Sequence, residues 1–328
     1  MPKVNLNGFS EDEFEDTTGP LRGRAPKIRY APRARGRNDD HTVLDEIAAH
    51  GGLDNAISES RFNPTFSSSR YERQWILDYL GVFYDNEQIT DVLHLVKGGK
   101  EANVYCCAAH PSTGLRLIAA KVYRPHMFRR MRNDVQYRQG RAILSASGHV
   151  VRDSRAMRAV AGGSGFGREL AHASWLEHEY QTLVALHAAG AGVPLPIARG
   201  NNTILMEYIG EVSAPAPMLN EVRLERHEVR PLWQRLVRDV ELMLQCDRVH
   251  GDLSAYNVLY WEGDVKLIDF PQVVDPYTNP DAYTLFRRDV QRLWQYFARY
   301  GIGGDPVTLA HQLWARSGPP TETDLSPA

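Results

Sequence analysis

The stretch His250-Gly251-Asp252-Leu253-Ser254-Ala255-Tyr256-Asn257, followed by Leu267-Ile268-Asp269-Phe270, decides how this chain is read. Phosphoryl transfer to a hydroxyl needs a carboxylate to orient the acceptor and take its proton. It also needs oxygen ligands for a divalent cation that neutralises phosphate charge. Asp252 suits the first task, and Asn257 and Asp269 suit the second. The spacing Asp-x-x-x-x-Asn lets one tight loop present both side chains to one site. Val258-Leu259-Tyr260 and Val265-Lys266-Leu267-Ile268 read as short strands around a Gly263-Asp264 turn. Such a hairpin returns Asp269 alongside the loop. The plain alternative is an N-capping Asp and a turn Asn, which does not account for His, Gly and Ile-Asp-Phe at these spacings.

Working upstream, Ile89 to Tyr105 reads as strand, glycine turn, strand. The candidate phosphate loop is the segment Lys97-Gly98-Gly99-Lys100-Glu101-Ala102-Asn103-Val104-Tyr105, whose glycines allow a backbone to approach phosphates closely. It is not a Walker A loop, and it lacks three spaced glycines. By itself it fits a plain hairpin turn equally well. Leu117-Ile118-Ala119-Ala120-Lys121-Val122-Tyr123 is a further strand, and its Lys121 needs a partner if buried. The helix expected over Ala173 to His187 offers Glu179, which lies on the apolar stripe with Trp175 and Leu183. A Lys121–Glu179 pair suits the holding of α and β phosphates. The alternative is two snorkelling surface charges, and the Asp252 motif weighs for the pair.

The rest of the chain frames these segments. Helical spacing marks Tyr71 to Leu80, Arg230 to Cys246 and Tyr283 to Tyr300, with a short strand at Thr203 to Tyr208. Residues 1–60 carry an acidic block, Glu11 to Asp16, then a basic one, Arg22 to Arg37, with interleaved prolines. They read as a disordered charged tail. The expected division is therefore 1–60 tail, 61–209 small strand-rich lobe, 210–316 helical lobe and 317–328 flexible tail. Gly162-Gly163-Ser164-Gly165-Phe166-Gly167 reads as a flexible loop within an Arg-rich insert, because Arg168 breaks the dinucleotide fingerprint. His178-Glu179 lacks the second His of a zinc hydrolase, since position 182 is Thr182.

The 328 residues are 43% hydrophobic and 24% charged, which permits a large core and excludes disorder of the whole chain. Lys and Arg number 38 against 40 Asp and Glu, so the net charge of -2 gives no global pull toward nucleic acid or membrane. Three cysteines without C-x-x-C spacing argue against a disulfide framework or a cysteine zinc site. No signal-peptide pattern and no long apolar run are present, and a cytoplasmic setting is expected.

Together the motifs resemble the RIO family of atypical serine/threonine protein kinases, in a bacterial branch, over about residues 71 to 300. The carriers are Gly99 to Tyr105, Ala120 to Tyr123, Leu205-Met206-Glu207-Tyr208-Ile209-Gly210, His250 to Asn257 and Ile268-Asp269-Phe270-Pro271-Gln272. The resemblance implies an α+β, two-lobed protein-kinase-like fold, with an extra N-terminal helix before the phosphate loop and a helical C-lobe. It implies ATP between the lobes, contacted by Gly99, Lys100 and Glu101. Adenine would meet the hinge backbone at Glu207 and Ile209, with Met206 guarding the pocket. Lys121 would touch phosphates and pair with Glu179. Asp252 would be the catalytic base, and Asn257 and Asp269 would bind Mg²⁺, with Mn²⁺ as the alternative ion. Members can also carry a phosphoryl group on the residue matching Asp269, as an ATPase switch. Lys97-Gly98 stands where the family often has Ser-Thr, and no Ala-Pro-Glu segment follows Asp269, so the acceptor stays undefined.

Four functions are weighed against one another. The first is a RIO-type Ser/Thr kinase that phosphorylates itself. The second is an ATPase switch on ribosomal precursors or ribosomal RNA, bound through Arg124, Arg129, Arg130, Arg132 and Arg138. The third is a small-molecule kinase of aminoglycoside phosphotransferase type, and the fourth an inactive scaffold.

Overall fold

The computed structural model describes residues 62–99, 101–124, 137, 139–145, 147–200 and 202–319. The charged tail therefore lies outside the described residues, as do Lys100, Arg129, Arg130, Arg132 and Arg138. Chain contacts divide the protein at Asp54/Asn55, and all the described residues belong to the second unit.

Helix α1 (Arg70–Asp85) begins where the Ser69 hydroxyl accepts the backbone N–H of Glu72. Its Ile76, Leu80 and Phe83 recur at helical spacing and are buried. Burial of each removes apolar area worth about 1.5–3 kcal/mol. They pack on one face of an antiparallel sheet, formed by β1 (Ile89–Gly98), β2 (Ala102–Ala109) and β3 (Leu117–Tyr123) with two later strands. Along β3 the two-residue period sorts the side chains. Ile118, Ala120 and Val122 join the α1 cluster, while Leu117 and Ala119 face the other way with Cys106 and Tyr208. Lys121 lies on that second face, at the same parity as Leu117 and Ala119.

Helices α2 (Ser154–Ala161) and α3 (Gly165–Ala188) follow, then β4 (Pro196–Gly200) and β5 (Thr203–Glu207), which complete the sheet order β1-β2-β3-β5-β4. Here the structure corrects the sequence. The glycine run is not a loose loop but a tight corner between two helices. Ser164 caps α3, its side chain accepting from the Gly167 N–H. A Cβ on Gly167 would fall 2.0 Å from the Ala159 carbonyl oxygen, so glycine there permits close helix packing. Helix α3 thus starts at Gly165 rather than near Ala173.

The two-stranded ribbon of β6 (Gly210–Glu211) and β7 (Ala214–Pro215) leads into the helical lobe. That lobe comprises α4 (Arg226–Gln245), the hairpin β8 (Val258–Trp261) and β9 (Asp264–Leu267), α5 (Ala282–Ala298) and α6 (Pro306–Ser317). Helix α4 starts a turn before the Arg230 expected from sequence, because Glu225 and Glu228 cap it reciprocally. Leu236, Val258, Leu267, Leu285, Phe297 and Leu313 are among the side chains of its continuous core. The fold is the expected α+β arrangement of a strand-rich lobe with an added N-terminal helix and a helical lobe. Among the described residues, no helix is long and apolar enough to cross a membrane.

Candidate active site

The loop His250 to Asn257 is held from beneath by α5. The Asp289 carboxylate, 2% exposed, accepts the backbone N–H of Gly251 at 2.7 Å and of Leu253 at 2.9 Å. Arg288 donates to the Gly251 carbonyl from the same helix. Gly251 has φ 79°, and a Cβ there would meet the Gln272 carbonyl oxygen at 2.5 Å, so glycine is required twice over. His250 is buried beside the Phe270 ring. One ring nitrogen, Nε2, lies 3.2 Å from the Ile268 carbonyl, and Nδ1 accepts the Asp252 N–H at 3.4 Å. Burial lowers the His250 pKa, so the neutral ring ties the loop to the strand before Asp269. Asn257 closes the turn by donating from Nδ2 to the Asp252 carbonyl at 2.8 Å. The loop thereby turns Asp252 and Asn257 to one side, and the Asp252 side chain stays 45% exposed. Arg292 of α5 lies 2.8 Å from Asp252 Oδ1.

Asp269 sits just past the hairpin with φ 72°, a left-handed conformation that costs a non-glycine residue about 1–3 kcal/mol. The surrounding contacts enforce it. Ile268 N donates to the Asn257 carbonyl at 3.0 Å, and Asp269 pairs directly with Lys121. Lys121 Nζ also lies 2.8 Å from Glu179 Oε1. Tyr123 donates its hydroxyl to the other oxygen of Glu179, so both oxygens of this buried carboxylate are satisfied. Desolvation opposes charge at Lys121 and at Asp269. Even so, the neighbouring carboxylates hold the Lys121 ammonium well above its usual range, and Lys121 holds Asp269 below the usual carboxylate range. The pair expected between Lys121 and Glu179 is thus formed, and Asp269 joins it.

The phosphate-loop string divides into two kinds of residue. Asn103 and Tyr105 point back toward α1: Asn103 Nδ2 donates to the Tyr105 hydroxyl at 3.1 Å, and that hydroxyl donates to Glu72 at 3.0 Å. Arg124 closes the network on Asn103 at 3.4 Å and lies over the Trp75 ring, so it is packed inward rather than presented as a free basic surface. Gly99 makes the turn, since a Cβ there would lie 2.8 Å from the Ala102 carbonyl oxygen. Gly98 is different: its Cβ position has no neighbour closer than 3.8 Å. Glu101 is exposed, and its carbonyl accepts the Arg124 N–H at 2.8 Å. Lys100 lies outside the described residues.

Below this loop, Ala119, Cys106 and Tyr208 form an apolar ceiling with Val96, Val104 and Met206. At the hinge the Glu207 N–H donates to the Leu195 carbonyl at 2.8 Å, and its carboxylate accepts the Leu195 N–H at 3.2 Å. The Ile209 carbonyl accepts from Ala216 at 2.9 Å. Both ends of the hinge are thus anchored at either side of the ceiling.

Asn257 and Asp269 offer one amide oxygen and one carboxylate. No cluster of three His, Cys, Asp or Glu side chains suited to a metal occurs among the described residues. A sparse oxygen pair fits Mg²⁺, which commonly takes one or two carboxylates plus substrate phosphates and keeps waters. It does not fit an all-protein cage.

Sequence reasoning missed Asp289, Arg292 and Tyr123. For Asp289 the signal was present. It stands four residues from Leu285 and from Leu293 on a buried stripe, the same pattern that singled out Glu179. Arg292 is one turn farther on, and nothing in its local pattern ties it to Asp252.

The fold and cleft define the class: a two-lobed, protein-kinase-like chain. The model of the RIO domain matches residues 103–309, and this chain belongs to the RIO family. It is 27% identical over 312 residues to serine/threonine-protein kinase RIO1 of Chaetomium thermophilum, covering 92% of this chain and 53% of that protein. It is 31% identical over 221 residues to RIO-type serine/threonine-protein kinase Rio1 of Haloferax volcanii, covering 65% and 66%. Against human serine/threonine-protein kinase RIO1 it is 30% identical over 216 residues, covering 65% and 34%. The chain thus spans about half the length of the Chaetomium relative, and less of the human one.

Proposed function

We propose that this chain transfers the γ-phosphoryl group of ATP to a serine or threonine hydroxyl, as a RIO-type protein kinase that phosphorylates itself. One observation carries the proposal. Lys121 bridges Glu179 and Asp269 at the mouth of an apolar ceiling, with Asp252 and Asn257 on the loop that Asp269 adjoins.

Each residue takes a role that its surroundings suit. The ceiling of Ala119, Val104 and Met206 accepts the adenine, and the Glu207 and Ile209 backbone borders its polar edge. Gly98 leaves room for phosphates to approach the main chain. Lys121, held by buried Glu179, meets the phosphate oxygens as a fixed cation. Asn257 and Asp269 hold the divalent cation, which supplies charge neutralisation on the phosphates. Asp252 orients the acceptor hydroxyl and takes its proton, and that exposed carboxylate is held in place by Arg292.

Calorimetric titration with ATP tests the nucleotide half of the proposal. The wild type should bind ATP more tightly with Mg²⁺ than with EDTA, and Asp269→Asn should lose that difference. Equal binding with and without the ion in the wild type would overturn the assignment of Asn257 and Asp269.

A further inference from the structure

Beside Asp252 lies an open groove of about 770 Å³, and apart from Asp252, Asn257 and Arg292 the phosphoryl-transfer chemistry does not use its lining. One wall is the loop Ser254 to Asn257, with Tyr256 62% exposed at its rim. The other wall is α5, which contributes Arg292, Gln295 and Tyr296, and its C-cap residue Arg299. Those positions are i, i+3, i+4 and i+7, so they form a single stripe on one helix face. Tyr296 is spent on structure, since its hydroxyl donates to the Leu219 carbonyl at 2.7 Å. Arg292 is matched by Asp252. Arg299 is exposed, and its described contacts are the Tyr296 carbonyl at 3.4 Å and the Tyr296 ring at 4.8 Å. No carboxylate pairs with Arg299 among the described residues, and Asp252 is the only acidic side chain of the lining.

We propose that this groove seats the acceptor segment of a protein substrate, and that Arg299 selects an acidic residue in it. The inference rests on the phosphoryl-transfer reading, because Asp252 defines where the acceptor hydroxyl lies. Arg299 follows Arg292 by seven positions, about 10 Å along the helix axis. An extended peptide covers that in about three residues. The preferred acceptor therefore carries Glu or Asp three residues from its Ser or Thr. The C-terminal carbonyls of α5 oppose an anion there, but they carry only partial charge, and the full charge of Arg299 stands between them and the ligand. A guanidinium also gives a carboxylate two parallel donors, a geometry that a diffuse positive field lacks. The volume suits a few side chains rather than a nucleic-acid duplex, and only one exposed aromatic lines it.

The test uses the full chain with Mg²⁺ and a non-hydrolysable ATP analogue. Fluorescein-labelled peptides with a central Ser carry Glu, Ala or Lys three residues before it, or three residues after it. Their binding is read by anisotropy. In one of the two series the Glu peptide should bind about fivefold or more tighter than the Ala peptide, with the Lys peptide weakest. Arg299→Gln should flatten that order, and Arg299→Glu should invert it. Equal binding of all peptides, or an unchanged order in Arg299→Glu, overturns the proposal. Displacement of the peptides by single-stranded RNA that itself binds in an Arg299-dependent manner overturns the protein assignment. Analogue binding is measured on the same samples. Charge-ordered peptide binding without analogue binding would sink the ATP reading and leave the groove standing; analogue binding without charge order would do the reverse.

Discussion

Lys121 Nζ lies 2.8 Å from Glu179 Oε1, and the second oxygen of Glu179 is taken by the Tyr123 hydroxyl. A strand lysine and a helix glutamate, 58 residues apart in sequence, thus meet at a carboxylate that is 3% exposed. Removing one partner of such a pair leaves a buried charge uncompensated.

Lys121→Met should therefore lose stability as well as activity. The expected cost is about 3 kcal/mol, the low end for breaking a buried pair. Urea denaturation followed by tryptophan fluorescence reads it. Replacement of both partners, Lys121→Met with Glu179→Leu, should recover much of that loss while leaving activity absent. A double variant less stable than the single one would refute the burial argument.

The two glycines of the phosphate loop should separate. A Cβ on Gly99 meets the Ala102 carbonyl at 2.8 Å, whereas one on Gly98 meets nothing closer than 3.8 Å. Gly99→Ala should thus shift the denaturation midpoint. Gly98→Ala should leave it in place and raise the KM for ATP about three- to tenfold, the loss of roughly one hydrogen bond's worth of contact. An unchanged KM in Gly98→Ala would make the turn an ordinary hairpin.

The hydrogen-bond chain from Asn103 through Tyr105 to Glu72 should fasten α1 to the sheet. Tyr105→Phe removes the central hydroxyl from a part-buried site and should cost about 1–3 kcal/mol. Amide hydrogen exchange should show faster exchange in Arg70–Asp85. Exchange confined to β2 would contradict the link.

Asp289 gives the lobe a pH dependence of opposite sign to that of Asp269. Burial raises the Asp289 carboxyl to about 7, although two backbone N–H groups pull it down. The folded state therefore holds a proton that the unfolded state releases near its ordinary range. Between about pH 4 and 7 this group binds more protons in the folded state, so its contribution to stability falls as pH rises. Asp269 is lowered by Lys121, so its contribution is present at neutral pH and lost as pH falls through the folded value. Denaturation midpoints across pH 5 to 7.5 should fall less steeply in Asp289→Asn than in the wild type. A slope that Asp289→Asn leaves unaltered would contradict the raised value.

The loop His250 to Asn257 was legible in sequence because its candidate site residues are local. Asp252 and Asn257 share one turn, and a short hairpin returns Asp269 to it. Glu179 was legible through periodicity, since a charge on an apolar stripe demands a partner. The corner at Gly162 to Gly167 was misread because glycine signals both looseness and close packing, and only the Ala159 carbonyl beneath Gly167 decides between them. Asn103 and Tyr105 were read with the phosphate loop because they adjoin it in sequence. Strand alternation turns both of them away to α1. Arg292 escaped notice because its partner lies 40 residues away across a tertiary contact.

The proposed function requires Asp252 to serve phosphoryl transfer to a hydroxyl. Purified protein incubated with γ-labelled ATP and Mg²⁺ tests it most directly, with protein-bound label and free phosphate followed together. Acid-stable label should appear on Ser or Thr and fall by about 10²- to 10⁴-fold in Asp252→Asn, the usual contribution of a positioned base. Calorimetry on the same variant should show ATP binding retained. Label released by hydroxylamine, with free phosphate accumulating and Asp252→Asn as active as wild type, would contradict it and point to an acyl phosphate on Asp269.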